Sequence, residues 1–241
     1  MSLLLKMEGV GKSFGSNHVL QGIDLALKGG EIAGLIGRSG CGKSTLLKII
    51  IGFYGQDSGV ITLNGKKISS DIQELRRKVG YTTQENSFYE KLTVLENMQY
   101  YGRLYGLRER RLKERIDLLL GQVGLDKSKG TIAENISGGQ KRRLDFAISL
   151  IHDPTILILD EPTTGLDPLL IDQFWTLVKK VVQDEEKIVI MTSHILSEIE
   201  RYCTKAAIMD RGKIAALLEK DEMKGLEKRF RDIVARGGGV V

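Results

Sequence analysis

Apolar residues recur along this chain in two patterns, as short unbroken runs and as positions spaced three or four residues apart. The first pattern is typical of strands buried on both faces, and the second of helices with one buried face. We predict strands at 32–36, 79–82, 155–160, 188–191 and 206–209. We predict helices at 43–51, 168–182 and 196–202. This alternation predicts an α/β fold with a doubly wound, mostly parallel sheet.

The first quarter of the chain has a different pattern. Its strands are expected at 3–10, 23–27, 60–63 and 66–68. A polar segment with two glycines, 11–18, separates the first two strands. The last two flank Asn64-Gly65, and Asn-Gly is the strongest short signal for a β-hairpin. We therefore expect an antiparallel β part at the N-terminal end of this sequence.

Residues 86–153 are predicted to form an inserted helical subdomain. Thr93 and Glu96 have the spacing of a capping box, which opens a helix to about residue 104. A second helix is expected at 110–123, and Ser137 is the expected N-cap of a third. The remaining ranges, 1–85 and 154–241, are expected to form one catalytic core.

Six basic residues lie close together in this insertion: Arg103, Arg108, Arg110, Arg111, Lys113 and Arg115. They suit a solvated helix face, which is the commoner reason for such a cluster. They also suit a surface that contacts a cytoplasmic membrane face or an acidic partner. Beyond the insertion, a turn is expected at Arg211-Gly212, a strand at 214–218 and a charged helix at 220–235. Residues 237–241 are expected to lack stable structure.

Composition narrows the class of protein. The 241 residues are 41% hydrophobic, enough to build a full core. The formal net charge is +5, but acidic and basic residues are interspersed, so no nucleic-acid partner is expected. Cys41 and Cys203 lie far apart in the sequence and favour a reducing compartment over a disulfide framework. No apolar run is long enough for a membrane span or a signal peptide, so neither is expected.

The segment 37–45, GRSGCGKST, fits the phosphate-loop pattern G-x-x-x-x-G-K-S/T. It follows a predicted strand and opens a predicted helix, whose N-terminus favours negative charge. An ordinary glycine-rich turn is the alternative, and this context disfavours it. Lys43 is expected to reach the β- and γ-phosphates, and the Ser44 hydroxyl to bind Mg²⁺. The ATP-binding residues expected here are Gly37, Arg38, Ser39, Gly40, Cys41, Gly42, Lys43, Ser44 and Thr45.

Two adjacent carboxylates, Asp160 and Glu161, end the apolar run 155–160. Ligands of open α/β sheets bind at the carboxyl ends of the strands. We expect Asp160 to hold Mg²⁺ and Glu161 to orient or deprotonate the attacking water. His194, just after the strand 188–191, is a candidate for contact with the γ-phosphate. The alternatives are an acidic loop and an ordinary surface histidine.

Two further features are ambiguous on their own. The predicted helix N-terminus at Ser137-Gly138-Gly139 carries no large side chains. It either binds an anion or is a plain capped loop. Phe14 is a lone aromatic residue between predicted strands, and such residues most often belong to the core.

Taken together, the chain resembles the nucleotide-binding subunit of an ATP-binding cassette (ABC) transporter over nearly its full length. The resemblance is carried by the phosphate loop, by ILILDEP at 156–162 and above all by the signature ISGGQ at 136–140. It implies a P-loop NTPase fold with ATP and Mg²⁺ as ligands. Two departures are small: Phe14 stands where tyrosine is commoner, and Ile136 where leucine is usual.

The resemblance also implies roles for individual residues. Gln84 becomes the glutamine that senses Mg²⁺ and the partner, His194 the switch histidine, and Phe14 the aromatic platform for adenine. Asp167 becomes a contact across a dimer. ATP would lie between the phosphate loop of one subunit and four residues of the other: Ser137, Gly138, Gly139 and Gln140.

The function implied is ATP hydrolysis that powers export through a separate membrane-spanning subunit. The stretch 92–107 is similar to that of exporter-type (ABC-2 type) subunits. Intact Lys43, Glu161 and His194 favour an ATP-dependent homodimer, while a heterodimer remains open. Such a protein is cytoplasmic and peripheral on the inner face of the cell membrane. The alternatives are a soluble ABC ATPase in assembly or repair, and a regulatory module with inactive sites.

Overall fold

The computed structural model describes residues 3–68 and 72–237. The strands within them are Leu4–Phe14 (β1), Asn17–Lys28 (β2), Ile32–Gly37 (β3), Ser58–Leu63 (β4), Lys66–Lys67 (β5), Val79–Thr82 (β6), Ile156–Asp160 (β7), Ile188–Thr192 (β8), Lys205–Asp210 (β9) and Lys213–Glu219 (β10). The α-helices are Lys43–Ile50 (α1), Ile72–Lys78 (α2), Val94–Leu104 (α3), Glu109–Gln122 (α4), Gly138–Leu150 (α5), Pro168–Glu185 (α6), Leu196–Tyr202 (α7) and Leu226–Gly237 (α8). Short 3-10 helices lie at Asp126–Ser128, Ala133–Asn135 and Lys220–Met223.

The larger sheet has six strands in the order β10-β9-β3-β8-β7-β6. In the described part of this sheet, the adjacent strands β9, β3, β8, β7 and β6 all pair in parallel. The edge strand β10 pairs antiparallel with β9. This confirms the predicted mostly parallel sheet. The strand β3, which leads into the phosphate loop, is central. In the register of β7 and β8, Asp160 lies beside Thr192, so both strands end at the same edge.

The smaller sheet is antiparallel, with strands in the order β2-β1-β4-β5. Asn64 and Gly65 form the predicted hairpin turn, both with positive φ, 52° and 76°. The prediction that 11–18 separates two short strands is wrong. Most of that segment belongs to β1 and β2, which pair as far as Phe14 and Asn17. Polar residues are tolerated there because an antiparallel sheet can expose one face to solvent.

Helix starts agree closely with the sequence. Thr93 caps α3: its Oγ1 accepts from the NH of Glu96 at 3.1 Å, and its own NH donates to the Glu96 carboxylate at 2.8 Å. The helix α2 was not predicted, because its seven residues are too few for a clear helical period. The predicted tail helix is interrupted at Gly225, which has a φ of 72°. Residues 237–241 are predicted to lack stable structure, but Gly237 is the last residue of α8, so the prediction is wrong there. Residues 238–241 lie outside the described residues.

Two hydrophobic cores cover the two faces of the larger sheet. Side chains alternate along β7, so Leu157 and Leu159 pack with α3 to α6, while Ile156 and Ile158 pack with α1 and the antiparallel sheet. The strand ends are therefore held between two packed layers. No helix in the described ranges has the length and apolar character needed to cross a membrane.

Candidate functional site

The phosphate loop joins β3 to α1. Its last glycine, Gly42, is the N-cap of α1 with a φ of 108°, and a Cβ there would lie 2.7 Å from a methyl group of Leu20. A Cβ on Gly37 would lie 2.4 Å from the carbonyl oxygen of Met209. Real Cβ atoms do not approach other atoms so closely, so glycine is required at both ends of the loop.

The Lys43 ammonium folds back over this loop. Its Nζ donates to the carbonyl oxygens of Gly37 at 2.7 Å and Arg38 at 3.1 Å. Cys41, within the loop, is buried, and its NH donates to the carbonyl of Arg38 at 3.2 Å. One positive charge is therefore held at the N-terminus of α1, where the helix dipole already favours an anion.

Asp160, the last residue of β7, is oriented by two hydroxyl groups. Thr192 Oγ1 donates to its Oδ1 at 2.5 Å, and the Tyr81 hydroxyl donates to its Oδ2 at 3.3 Å. Burial, together with the nearby negative charge of Asp160, raises the pKa of Tyr81 to about 12. Tyr81 therefore stays protonated and remains a hydrogen-bond donor at neutral pH.

Glu161 follows in a left-handed conformation, with a φ of 49°. Its NH donates to Thr192 Oγ1 at 3.1 Å, so one threonine fixes both carboxylate residues. The Glu161 Oε1 lies 2.6 Å from Nε2 of His194, and its Oε2 accepts from Thr164 Oγ1 at 3.3 Å. The Glu161 side chain is 17% exposed and that of His194 is 68% exposed, so the pair spans the rim of the site. A positive φ in a residue other than glycine, as at Glu161, is a form of backbone strain that is concentrated at functional sites.

These groups line one cleft of about 230 Å³. It brings together nine of the predicted site residues: Ser39, Gly40, Gly42, Lys43, Ser44, Thr45, Asp160, Glu161 and His194. Val19 and Thr192 complete the lining. The cleft therefore combines a glycine loop, a cation, hydroxyl groups and two carboxylates, which suits a polyphosphate bound with a hard metal ion.

Gly37, Arg38 and Cys41 belong to the phosphate loop without lining the cleft, and the remaining predicted residues lie apart from it. Gln84 and Gly138 line a separate cavity of about 600 Å³. Ser137 caps α5 by accepting from the NH of Gln140 at 3.3 Å, and the Gln140 side chain accepts from the Ser137 NH at 2.9 Å. Asp167 caps α6 by accepting from the NH groups of Leu169 and Leu170, both at 3.0 Å.

Phe14 lies at the end of β1 and is 44% exposed, so the alternative in which it belongs to the core does not hold. Its ring meets the Tyr54 ring edge to face, with centroids 5.1 Å apart. The Lys12 ammonium lies 5.4 Å from the centre of the Phe14 ring. The Phe14 ring is thus in contact with Tyr54 and Lys12, while much of its surface remains accessible to solvent.

Sequence reasoning missed Thr192, Tyr81 and Thr164. Thr192 carries a weak signal, since it is the first polar residue after the apolar run 188–191. Its contacts with Asp160 and Glu161 depend on the register of β8 against β7, which no local pattern encodes.

The fold and the cleft define a P-loop ATPase. The family model described as ABC transporter matches residues 20–164, and the chain therefore belongs to the ABC transporter family. It carries the ATP-binding domain of that family.

Named relatives agree with this assignment. The linearmycin resistance ATP-binding protein LnrL of Bacillus subtilis is 36% identical over 91% of this chain and 70% of its own length. The Nod factor export ATP-binding protein I of Rhizobium sp. is 35% identical over 87% of this chain and 68% of its own length.

Solved structures give the same picture. The cbiO1 part of the ABC transporter complex cbiONQ from Clostridium perfringens aligns with a TM-score of 0.87 at 27% identity, over 98% of this chain and 96% of its own. An ATP-binding cassette of an ABC transporter in its ADP conformation, 24% identical over 97% and 98% of the two chains, aligns with a TM-score of 0.86 and supports the fold alone.

Proposed function

We propose that this chain hydrolyses ATP and thereby powers export through a separate membrane-spanning subunit. The observation that carries the proposal is the pair Glu161–His194, 2.6 Å apart, at the rim of the cleft that also holds the phosphate loop and Asp160. Export is inferred from the names of two relatives, which concern linearmycin resistance and Nod factor export.

The phosphate loop would bind the ATP phosphates through its backbone NH groups and Lys43. The Lys43 ammonium would exchange its bonds to the Gly37 and Arg38 carbonyls for phosphate oxygens. Phe14 supports adenine binding, because an accessible ring braced by Tyr54 is suited to stacking.

The residues also fit a Mg²⁺ ion. Ser44 and Asp160 supply hard oxygen atoms on the same cleft. Gln84 is the third proposed ligand, and it would have to move toward this cleft because it lines the separate cavity. A single carboxylate is sufficient for Mg²⁺, which is usually bound by one or two carboxylates together with substrate phosphates. When bound, the ion neutralises charge that develops on the phosphates.

Hydrolysis is assigned to Glu161 and His194. The Glu161 carboxylate would accept a proton from the attacking water, or orient that water. His194 donates a hydrogen bond to Glu161 from Nε2 and so limits the movement of the carboxylate. We propose that its exposed imidazole contacts the γ-phosphate.

A second copy of the chain is proposed to complete each site. Ser137 and Gly138 are exposed at the N-terminus of α5, away from the cleft of their own subunit. Their position supports contact of Ser137 and Gly138 with the ATP bound to the partner. We extend this proposed contact to the next two residues, the buried Gly139 and the half-buried Gln140. Asp167 is proposed to lie at the same interface.

We infer that residues 86–153 act as the helical subdomain and that 1–85 with 154–241 act as the catalytic core. The membrane subunit would contact the helical subdomain, which places this chain in the cytoplasm on the inner face of the cell membrane.

The proposal is tested by measuring phosphate release from ATP by the purified chain, alone and co-expressed with its membrane subunit in vesicles. We expect turnover with Mg²⁺ and none after EDTA treatment. Turnover that is insensitive to EDTA would contradict the metal site. Turnover without any ATP-dependent substrate transport by the vesicles would contradict export.

A further inference from the structure

A buried carboxylate lies beneath the loops that carry Glu161 and His194. Glu198, in the first turn of α7, is only 5% exposed. Burial raises the pKa of its carboxyl group, since the charged form loses hydration. A buried acidic side chain is unusual unless partner groups compensate it.

The partners of Glu198 come from those two loops. Its Oε2 accepts from Thr163 Oγ1 at 2.7 Å and from Ser193 Oγ at 3.5 Å. Thr163 and Ser193 are themselves buried. Thr163 is two residues after Glu161, and Ser193 immediately precedes His194.

The hydrogen bonds to the Glu198 carboxylate reach only one of its two oxygens. The Glu198 Oε1 has no hydrogen-bond partner among the described residues. The single oxygen Oε2 holds both hydroxyl groups. A buried polar atom left unpaired in a native protein calls for an explanation, and function is one of the common ones.

We propose that Glu198 is a positioning residue that fastens the loops of Glu161 and His194 to α7 and so maintains their contact. The inference rests on the proposed function, because hydrolysis is assigned to that pair. Its physical basis is that small displacements of reacting groups have large effects on rate. Glu198 does not line the cleft, so it acts only through the two loops.

The test compares four variants by steady-state kinetics. In Glu198→Ala and Thr163→Val we expect kcat to fall about 10- to 100-fold while KM for ATP changes less than about 3-fold. Glu198→Gln keeps an acceptor oxygen and should recover most of the loss. Glu200→Gln is the matched control: Glu200 lies on the same helix, but its carboxylate accepts from the NH groups of Gly225 and Leu226. It should behave as the parent.

A spectroscopic readout separates positioning from general stability. The chain has three histidines, so the His194 imidazole signals can be identified in NMR spectra by comparison with His194→Ala. We expect these signals to move in Glu198→Ala and Thr163→Val, and to stay unchanged in Glu200→Gln.

Unmoved His194 signals and kcat within about 2-fold of the parent in Thr163→Val and Glu198→Ala would overturn the inference. So would a loss of kcat that disappears at lower temperature and follows only the melting temperature. If Glu198→Ala does not fold, Thr163→Val decides, because it leaves the carboxylate in place. A parent protein without ATPase activity would instead refute the proposed function, while the NMR comparison would still test the positioning.

Discussion

Arg142 holds the backbone of Gln84: its Nη2 donates to the Gln84 carbonyl at 2.6 Å, and its Nη1 donates to the carbonyl of Thr83 at 3.1 Å. One turn further along α5, the buried Asp145 accepts from the NH of Ser87 at 3.0 Å. The helix that begins at the signature is therefore fastened to the segment 83–87. A shift of α5 would move Gln84 with it, which is a direct route for coupling between these two elements.

Replacing Arg142 tests this route. In Arg142→Ala we expect amide hydrogen exchange in 83–87 to accelerate about tenfold, because hydrogen bonds from a charged donor are worth about 1.5–3 kcal/mol. Exchange in α1 should not change. Arg110→Ala is the control, since the Arg110 side chain is 92% exposed and forms its ion pair with the nearby Glu114. Equal exchange in 83–87 for all three proteins would show that Arg142 does not restrain the segment.

Glu161→Gln keeps the shape of the side chain but removes the proposed base. We expect the hydrolysis rate to fall by roughly 100- to 10,000-fold, the usual contribution of general base catalysis. MgATP should still bind, and light scattering after gel filtration should detect a dimer with MgATP and a monomer with MgADP. A variant that hydrolyses ATP at the parent rate would remove Glu161 from the mechanism.

Lys43→Ala removes the positive charge held over the phosphate loop. We expect MgATP affinity to fall about 10- to 100-fold, since a charge-assisted hydrogen bond is worth about 1.5–3 kcal/mol. Isothermal titration calorimetry measures this, with Lys213→Ala as the control because Lys213 is exposed on the edge strand β10. Unchanged affinity in Lys43→Ala would contradict the placement of the phosphates.

His152 predicts a pH dependence of stability. Its ring stacks on Tyr105 with centroids 3.8 Å apart, and burial lowers its pKa from 6.5 to about 4. The unfolded chain therefore binds a proton near pH 6.5 that the folded chain accepts only near pH 4. The free energy of unfolding therefore receives the full contribution of neutral His152 above pH 6.5. It decreases as the pH falls from 6.5 toward 4, by about 3 kcal/mol in total.

Urea unfolding at several pH values checks this slope. His152→Phe keeps an aromatic ring against Tyr105 but cannot titrate, so the slope between pH 6.5 and 4 should flatten. His18→Gln, at an exposed site on β2, should retain it. If the free energy of unfolding falls equally steeply between pH 6.5 and 4 in the parent and in His152→Phe, His152 is not the cause of the pH dependence.

Much of the secondary structure was predictable because its signals are local. The Asn64-Gly65 turn and the Thr93 capping box each depend on residues within a few positions of one another. The errors have physical causes as well. The polar segment 11–18 was assigned to a loop because solvent-facing strand residues resemble loop residues, and the break at Gly225 was missed because charged residues continue on both sides.

The sequence alone determined the phosphate loop, the adjacent carboxylates at the end of β7 and the cap at Ser137, because each is set by adjacent residues and their backbone. Only the tertiary structure decided that Glu161 meets His194, that Thr192 serves both Asp160 and Glu161, and that Glu198 lies beneath both loops. Periodicity encodes which face of a strand is buried, but strand order and register are settled by packing between segments far apart in the chain.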